Sequence, residues 1–133
     1  MTTNYVRGAS ASCAASRGDI ESLLAGAGAG QIRFVSEAGR TAISFTAGRR
    51  RFRIVLELPT GTGQGAEDLR HERETRRRWH ALALLFRAKV NAVESGVTSF
   101  EEEFLAYMLT PAGQSVYQKT RAMIAQSYRG REL

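Results

Sequence analysis

The sequence predicts an α+β fold: a short N-terminal helix, a three-stranded antiparallel sheet, then a long helix and one or two further helices packed on one sheet face. Three observations carry this reading. Between Gln31 and Leu58 apolar residues alternate with a period of two, the spacing of half-buried strands. Two tight-turn sequences, Glu37-Ala38-Gly39-Arg40 and Ala47-Gly48-Arg49, break that alternation into three pieces. From Ala66 to Ser95 no proline occurs, the apolar period becomes helical, and Gly96 supplies a stop.

Taken in order, residues 1–15 (MTTNYVRGASASCAA) are small and polar without an apolar period, which predicts a flexible arm. Ser16 offers an N-cap, Asp19 a first-turn charge, and Ile20, Leu23 and Leu24 a short apolar stripe that AGAGAG ends at Gly30. A helix of two to three turns follows from this. In the strands, Ile32, Phe34, Ile43, Phe45, Phe52, Ile54 and Leu56 share one face. Leaving that face wet would forgo roughly 1.5 to 3 kcal/mol per large side chain, so helices must cover it. The opposite face shows Arg33, Ser44, Arg51 and Arg53 and is open to solvent or ligand.

Pro59 ends the third strand, and residues 59–65 read as a linker. Its TGTGQG lacks the Gly-Lys-Ser/Thr ending of a phosphate loop. The long helix has two unlike halves. Glu67 to Arg78 is charged all round, which predicts a half that projects or is ordered by a partner, whereas Trp79, Leu82, Phe86, Val90 and Val93 form a core stripe. Ser99 with Glu102, or Thr98 with Glu101, makes a capping box for a helix over about Phe100 to Leu109. At 107–117 two readings stand: Thr110 caps a last helix with Pro111 at its first position, or Pro111 to Gly113 turns a small hairpin. The spacing of Val116, Tyr117, Thr120, Met123, Ile124 and Tyr128 favours helix from about Gln114. One domain thus spans 16–128, with the sheet at about 31–58, a helical part at 66–128 and a frayed tail at 129–133.

The stretch Trp79 to Gly113, WHALALLFRAKVNAVESGVTSFEEEFLAYMLTPAG, resembles an uncharacterised family of small proteins of temperate phages and prophages of high-GC bacteria. Members share a pattern close to WRALxLxxKAKxxAVExGxxxFEEEFxAxxxxPxG. The Asp19-Ile20-Glu21 helix and the arginine-rich strands ending at Leu58-Pro59 are similar too, so the likeness covers most of the chain. It implies a phage or prophage accessory role and brings no catalytic residues. Two departures stand out: the linker before Trp79 is short, and relatives continue beyond Tyr128.

The 133 residues carry 19 Lys and Arg against 13 Asp and Glu, a net charge of +6 that is almost wholly arginine. A field of that sign attracts polyanions, although a high-GC coding sequence yields the same excess. Arg70, Arg73 and Arg77 share one helical face with Arg76 and Arg78 beside it, while Arg49, Arg50, Arg51 and Arg53 lie on the last turn and strand. Guanidinium groups bind phosphates bidentately, so together these nine are the candidate nucleic-acid-binding residues if the fold unites them. The alternative is a solvated helix balanced by Glu67, Asp68, Glu72 and Glu74. Helix, three antiparallel strands and helix is also the element order of double-stranded-RNA-binding domains, but their loop motifs are absent, and the open face lacks aromatics that would stack bases.

An enzyme is not expected. His71 and His80 are nine residues apart, off the four-residue spacing of a helical metal pair, and Cys13 has no histidine at fixed spacing. Glu101, Glu102 and Glu103 suit a helix start. Neither metal nor cofactor is implied. The absence of a signal sequence and the single cysteine predict a cytoplasmic protein, in the host cell if phage-encoded. The expected function is non-catalytic nucleic-acid binding, DNA or RNA, through arginine–phosphate contacts. The alternative is a protein-binding modulator, such as an inhibitor of a host defence complex, using Glu67 to Arg78. No membrane partner is expected, and a homodimer through the open sheet face or a strand edge is compatible with the pattern.

Overall fold

The computed structural model describes the backbone of residues 2–60 and 65–130, and the side chains from Cys13 onward within those ranges. The central part of the expected linker, residues 61–64, and the end of the tail, residues 131–133, lie outside the described residues. The element order is α1 (Thr2–Gly26), β1 (Gly30–Glu37), β2 (Arg40–Ala47), β3 (Arg50–Glu57), α2 (Gly65–Glu94), α3 (Phe100–Phe104), a 3-10 turn (Leu105–Tyr107) and α4 (Val116–Arg129). This is the expected α+β arrangement.

The sheet follows from its turns. Strand order is β1-β2-β3, antiparallel throughout, with Phe34 opposite Ile43, Ile43 opposite Ile54, and Phe45 opposite Phe52. Ala47 pairs with Arg50, so the second hairpin has a two-residue loop in which Gly48 and Arg49 both take positive φ, 55° and 67°. Such a loop matches the right-handed twist of the strands it joins. Near the start of β1 the register shifts between Gly30 and Arg33, where Gln31 has φ 50°. This bulge leaves Phe34 on the same face as Ile43.

With two strand reversals between them, α1 and α2 run in the same direction across the same sheet face. Their contacts advance together: Arg17 lies over the rings of Phe34 and Trp79, and further along Leu23 and Gly26 share a cleft with Arg87 and Glu94. The helix α1 is longer than the sequence predicts. It starts at Thr2, so the expected arm over 1–15 is helical from there, and Ser16 is a buried mid-helix residue and not an N-cap. The run from Ala9 to Ala15 holds four alanines and no proline, which favours helix, and from Cys13 onward α1 packs beside α2. The charged half of α2 is likewise not a free projection: Asp68, His71, Glu72, Thr75 and Arg76 are half-buried.

The core is aromatic. Phe45 stacks on Phe52 with ring centroids 5.2 Å apart and meets Phe86, Phe100 and Phe104 edge-on at 6.3, 6.1 and 5.8 Å. One residue of the sheet therefore touches α2 and α3 at once. Lys89 fastens those helices from the side, donating to the Glu103 carbonyl at 2.9 Å and to its carboxylate at 3.3 Å. Ser99 caps α3, its Oγ accepting the Glu102 N–H at 3.1 Å. The helix α3 lasts five residues before tightening into the 3-10 turn, where the sequence predicts continuous helix to about Leu109. The reason lies in the next segment, which pairs with the sheet: the Leu109 N–H donates to Arg51 O at 2.7 Å, and Phe52 bridges Met108.

Pro111 to Gly113 then turns a small hairpin. Thr110 N–H donates to Gln114 O and Val116 N–H to Met108 O, and Gly113 has φ 89°. The helix α4 follows at Val116, two residues after the expected start, with Ser115 and Gln118 forming a full capping box. Of the two readings of 107–117 the hairpin is the one realised; the last helix begins after it, capped by Ser115 and not by Thr110 with Pro111 at its first position, because 108–116 is held by strand-like pairing.

Phe45 is 1% exposed, so Phe45→Ala is expected to cost about 3 to 5 kcal/mol in urea unfolding followed by circular dichroism. Val35→Ala, on the open face, is expected to change stability by about 0.5 kcal/mol or less.

Candidate nucleic-acid interface

The open sheet face is a graded surface set by the pairing register. Its rows are Glu37–Arg40–Glu57 at one end, then Val35–Ala42–Val55, then Arg33–Ser44–Arg53, with Thr46 and Arg51 beyond. The carboxylates therefore lie at one end, where Glu37 faces Arg40 at 3.7 Å, and the guanidinium groups at the other. Arg49 and Arg50 extend the basic end around the hairpin loop. Arg33, Arg49, Arg50 and Arg51 are exposed and make no ion pair or hydrogen bond through their side chains among the described residues. Arg53 is half-buried and held in place by its Nη2, which donates to Gly113 O at 3.1 Å.

That hydrogen bond ties the 110–113 turn to the sheet and sets α4 along the β3 side of the open face. Between sheet and helix lies a recess of about 460 Å³ lined by Arg53, Val55, Tyr107, Tyr117, Gln118 and Arg121, with Ala106 and Ser115. It continues over Val35 and Ala42. A second basin, of about 580 Å³, lies between Arg49, Arg50, Arg51 and the loop residues Leu109 to Pro111. The helix α4 contains Lys119, Arg121 and Arg129 and no acidic residue, and has no buried residue.

The second expected cluster is elsewhere. Arg78 Nη1 donates to Glu57 O at 2.8 Å, which places the charged half of α2 beyond the C-terminal end of β3. Arg49 to Arg51 lie at the N-terminal end of that eight-residue strand, about 23 Å away at 3.3 Å per residue, and Arg51 and Arg53 project from the face opposite the one α2 covers. The nine candidate arginines are therefore two surfaces, not one. Within the α2 group, Glu74 engages two: Arg77 Nη2 at 2.6 Å and Arg78 Nε at 2.8 Å. Arg76 faces α1, where it and Arg17 act against the burial that pushes the Cys13 thiol up. Arg70 and Arg73 alone of this group are exposed without a side-chain hydrogen bond or ion pair to a described residue.

Sequence reasoning missed Tyr117, Gln118 and Arg121. The helical period of α4 was readable, but the sheet face it borders is set by the Arg53–Gly113 contact and the Leu109–Arg51 pairing, neither of which leaves a local signature. Trp79 is 4% exposed and belongs to the core. Among the described residues no group of three or more His, Cys, Asp or Glu could hold a metal ion, and no helix is long and apolar enough to cross a membrane.

No protein-family model, curated protein or solved structure matches the chain.

The hydrogen bonds from Arg78 and then Arg77 hold the Glu74 carboxyl below its ordinary value of 4.5. Because the folded value is the lower one, the contribution of this group is present above the unfolded value and is lost as pH falls through the folded one. In a carboxyl-carbon NMR titration Arg78→Ala is expected to move the Glu74 midpoint upward, and Arg77→Ala to move it less.

Proposed function

We propose that this protein is a non-catalytic accessory protein of phage or prophage type that acts in the cytoplasm and binds nucleic acid through arginine–phosphate contacts on its open sheet face. The observation that carries the reading is the basic end of the open face, Arg33 and Arg51 with Arg53 and Arg121 beside them, Arg49 and Arg50 at the adjoining hairpin, and the carboxylates displaced to the far end. Guanidinium groups without protein partners are available for phosphate oxygens, and phosphate neutralisation releases counterions. The phage assignment is supported by the family resemblance of Trp79 to Gly113. The α2 arginines are a secondary contact at most, since Glu74 occupies two of them.

A second reading has its own observation. Met123, Ile124 and Tyr128 on α4 are 64%, 52% and 67% exposed, an apolar side that suits a protein partner. A protein-binding modulator, such as an inhibitor of a host defence complex, would use α4 in preference to Glu67 to Arg78, part of which α1 covers. Capture from host lysate with and without nuclease separates the two, since only a protein partner survives nuclease.

Binding to DNA and RNA is expected to weaken steeply with salt. In fluorescence anisotropy at two salt concentrations, Arg33→Glu with Arg51→Glu is expected to lower affinity about tenfold or more and to flatten the log–log salt slope by about 0.7 to 0.9 per lost phosphate contact. Arg70→Glu with Arg73→Glu makes the same charge change at the other end and is expected to cost about threefold or less. No binding at low salt, or binding indifferent to salt, rejects the proposal. Arginine stays charged at all physiological pH, so affinity is expected to be flat between about pH 6 and 9 in the same assay.

A further inference from the structure

The recess between the open sheet face and α4 narrows the nucleic-acid reading to one class of ligand. Its two cations, Arg53 and Arg121, come from opposite walls, and no carboxylate lines the part beside Tyr117, whereas Glu37 and Arg40, which face each other at 3.7 Å, border its continuation over Val35. Beside them Tyr117 is 59% exposed on the first turn of α4, and the recess runs out over Val35 and Val55, themselves 53% and 42% exposed. Phosphate-binding groups, an exposed ring and an apolar floor thus lie within one concavity.

We infer that this recess takes single-stranded nucleic acid, with a base stacked on Tyr117 and the adjoining phosphates on Arg53 and Arg121. The inference rests on the nucleic-acid reading above and deepens it. A duplex keeps its base faces stacked internally and offers only edges and backbone, so an exposed ring has nothing to stack on. A single strand presents both a π-face and a phosphate at every step, and base–aromatic stacking is tolerant of sequence. Gln118 Oε1 accepts the Ser115 N–H at 3.0 Å, which leaves its amide NH₂ to donate to a base edge.

The test uses the full chain and three fluorescein-labelled probes of about 12 nucleotides, oligo(dT), oligo(U) and a mixed-sequence DNA duplex, within the usual site sizes for single strands. Oligo(dT) or oligo(U) is expected to bind about tenfold tighter than the duplex, and Tyr117→Ala to weaken single-strand binding about tenfold while leaving duplex binding unchanged. Tyr117→Phe keeps the ring and is expected to stay within about twofold of the parent. Tyr128→Ala, three turns along the same exposed helix, controls for a general effect on α4, and thermal melts check that each variant folds. Preference for oligo(dT) or for oligo(U) reports the sugar together with the thymine methyl group, and either supports the inference. Tyr117→Ala binding like the parent, or tighter binding of duplex, overturns it. If Arg33→Glu with Arg51→Glu still weakens binding in that case, nucleic-acid binding stands and only the single-strand assignment falls. Salt-sensitive binding to none of the probes overturns both.

Discussion

The position of Phe45 constrains more of this structure than any other single contact. It sits in the central strand, stacks on Phe52 of the neighbouring strand, and meets rings from α2 and α3. Edge-to-face packing fixes orientation as well as separation, so the aromatic group sets where α3 lies over the sheet. The helix α3 in turn delivers Met108 and Leu109 to the β3 edge, where they pair with Phe52 and Arg51. The open-face recess is therefore a consequence of packing on the opposite face. Removing the ring at 45 would loosen the sheet from both helices and, through them, the segment that carries Tyr117 and Arg121.

The same topology explains why the arginines do not converge. A 30-residue helix is about 45 Å long and the eight-residue strands about 26 Å, so α2 must overhang the sheet, and its charged half is the overhanging part. There α1, running parallel, shields one side of it. Self-pairing through Glu74 and shielding by α1 leave this half serving helix stability more than recognition. At the other end of β3 no acidic residue lies within the hairpin loop or its flanks, from Arg49 to Arg53, so those charges are opposed only by solvent counterions.

Strand faces, hairpins, the core stripe of α2 and the Ser99 cap were legible because each rests on spacing within a dozen residues. Period-two alternation places Phe45 and Arg53 on opposite faces without further information. The extent of α1 was not legible, since residues 1–15 lack the apolar period that announces a helix. Likewise, Arg49 to Arg53 were identifiable as candidates from composition, whereas their separation from Arg70 to Arg78 follows from helix length and direction. The supposed lack of aromatics on the open face holds for the strands themselves. Tyr117 reaches that face from another element, through a hairpin whose register is set by tertiary pairing.

The recess wall is only lightly buttressed. A 14-residue helix is marginal in isolation, and from Arg121 to Arg129 every residue of α4 is exposed. What starts it is local: the Ser115–Gln118 capping box, and Thr120 Oγ1 donating to Val116 O at 2.7 Å. Its far turns rely on intrinsic propensity, so their local stability is lower than that of Phe45 and its partners. A ligand that bridges Arg53 on the rigid sheet and Arg121 on the helix would stabilise α4 in proportion to its occupancy. Binding there would thereby be coupled to the order of one helix, and the sheet that supplies the remaining contacts need not move.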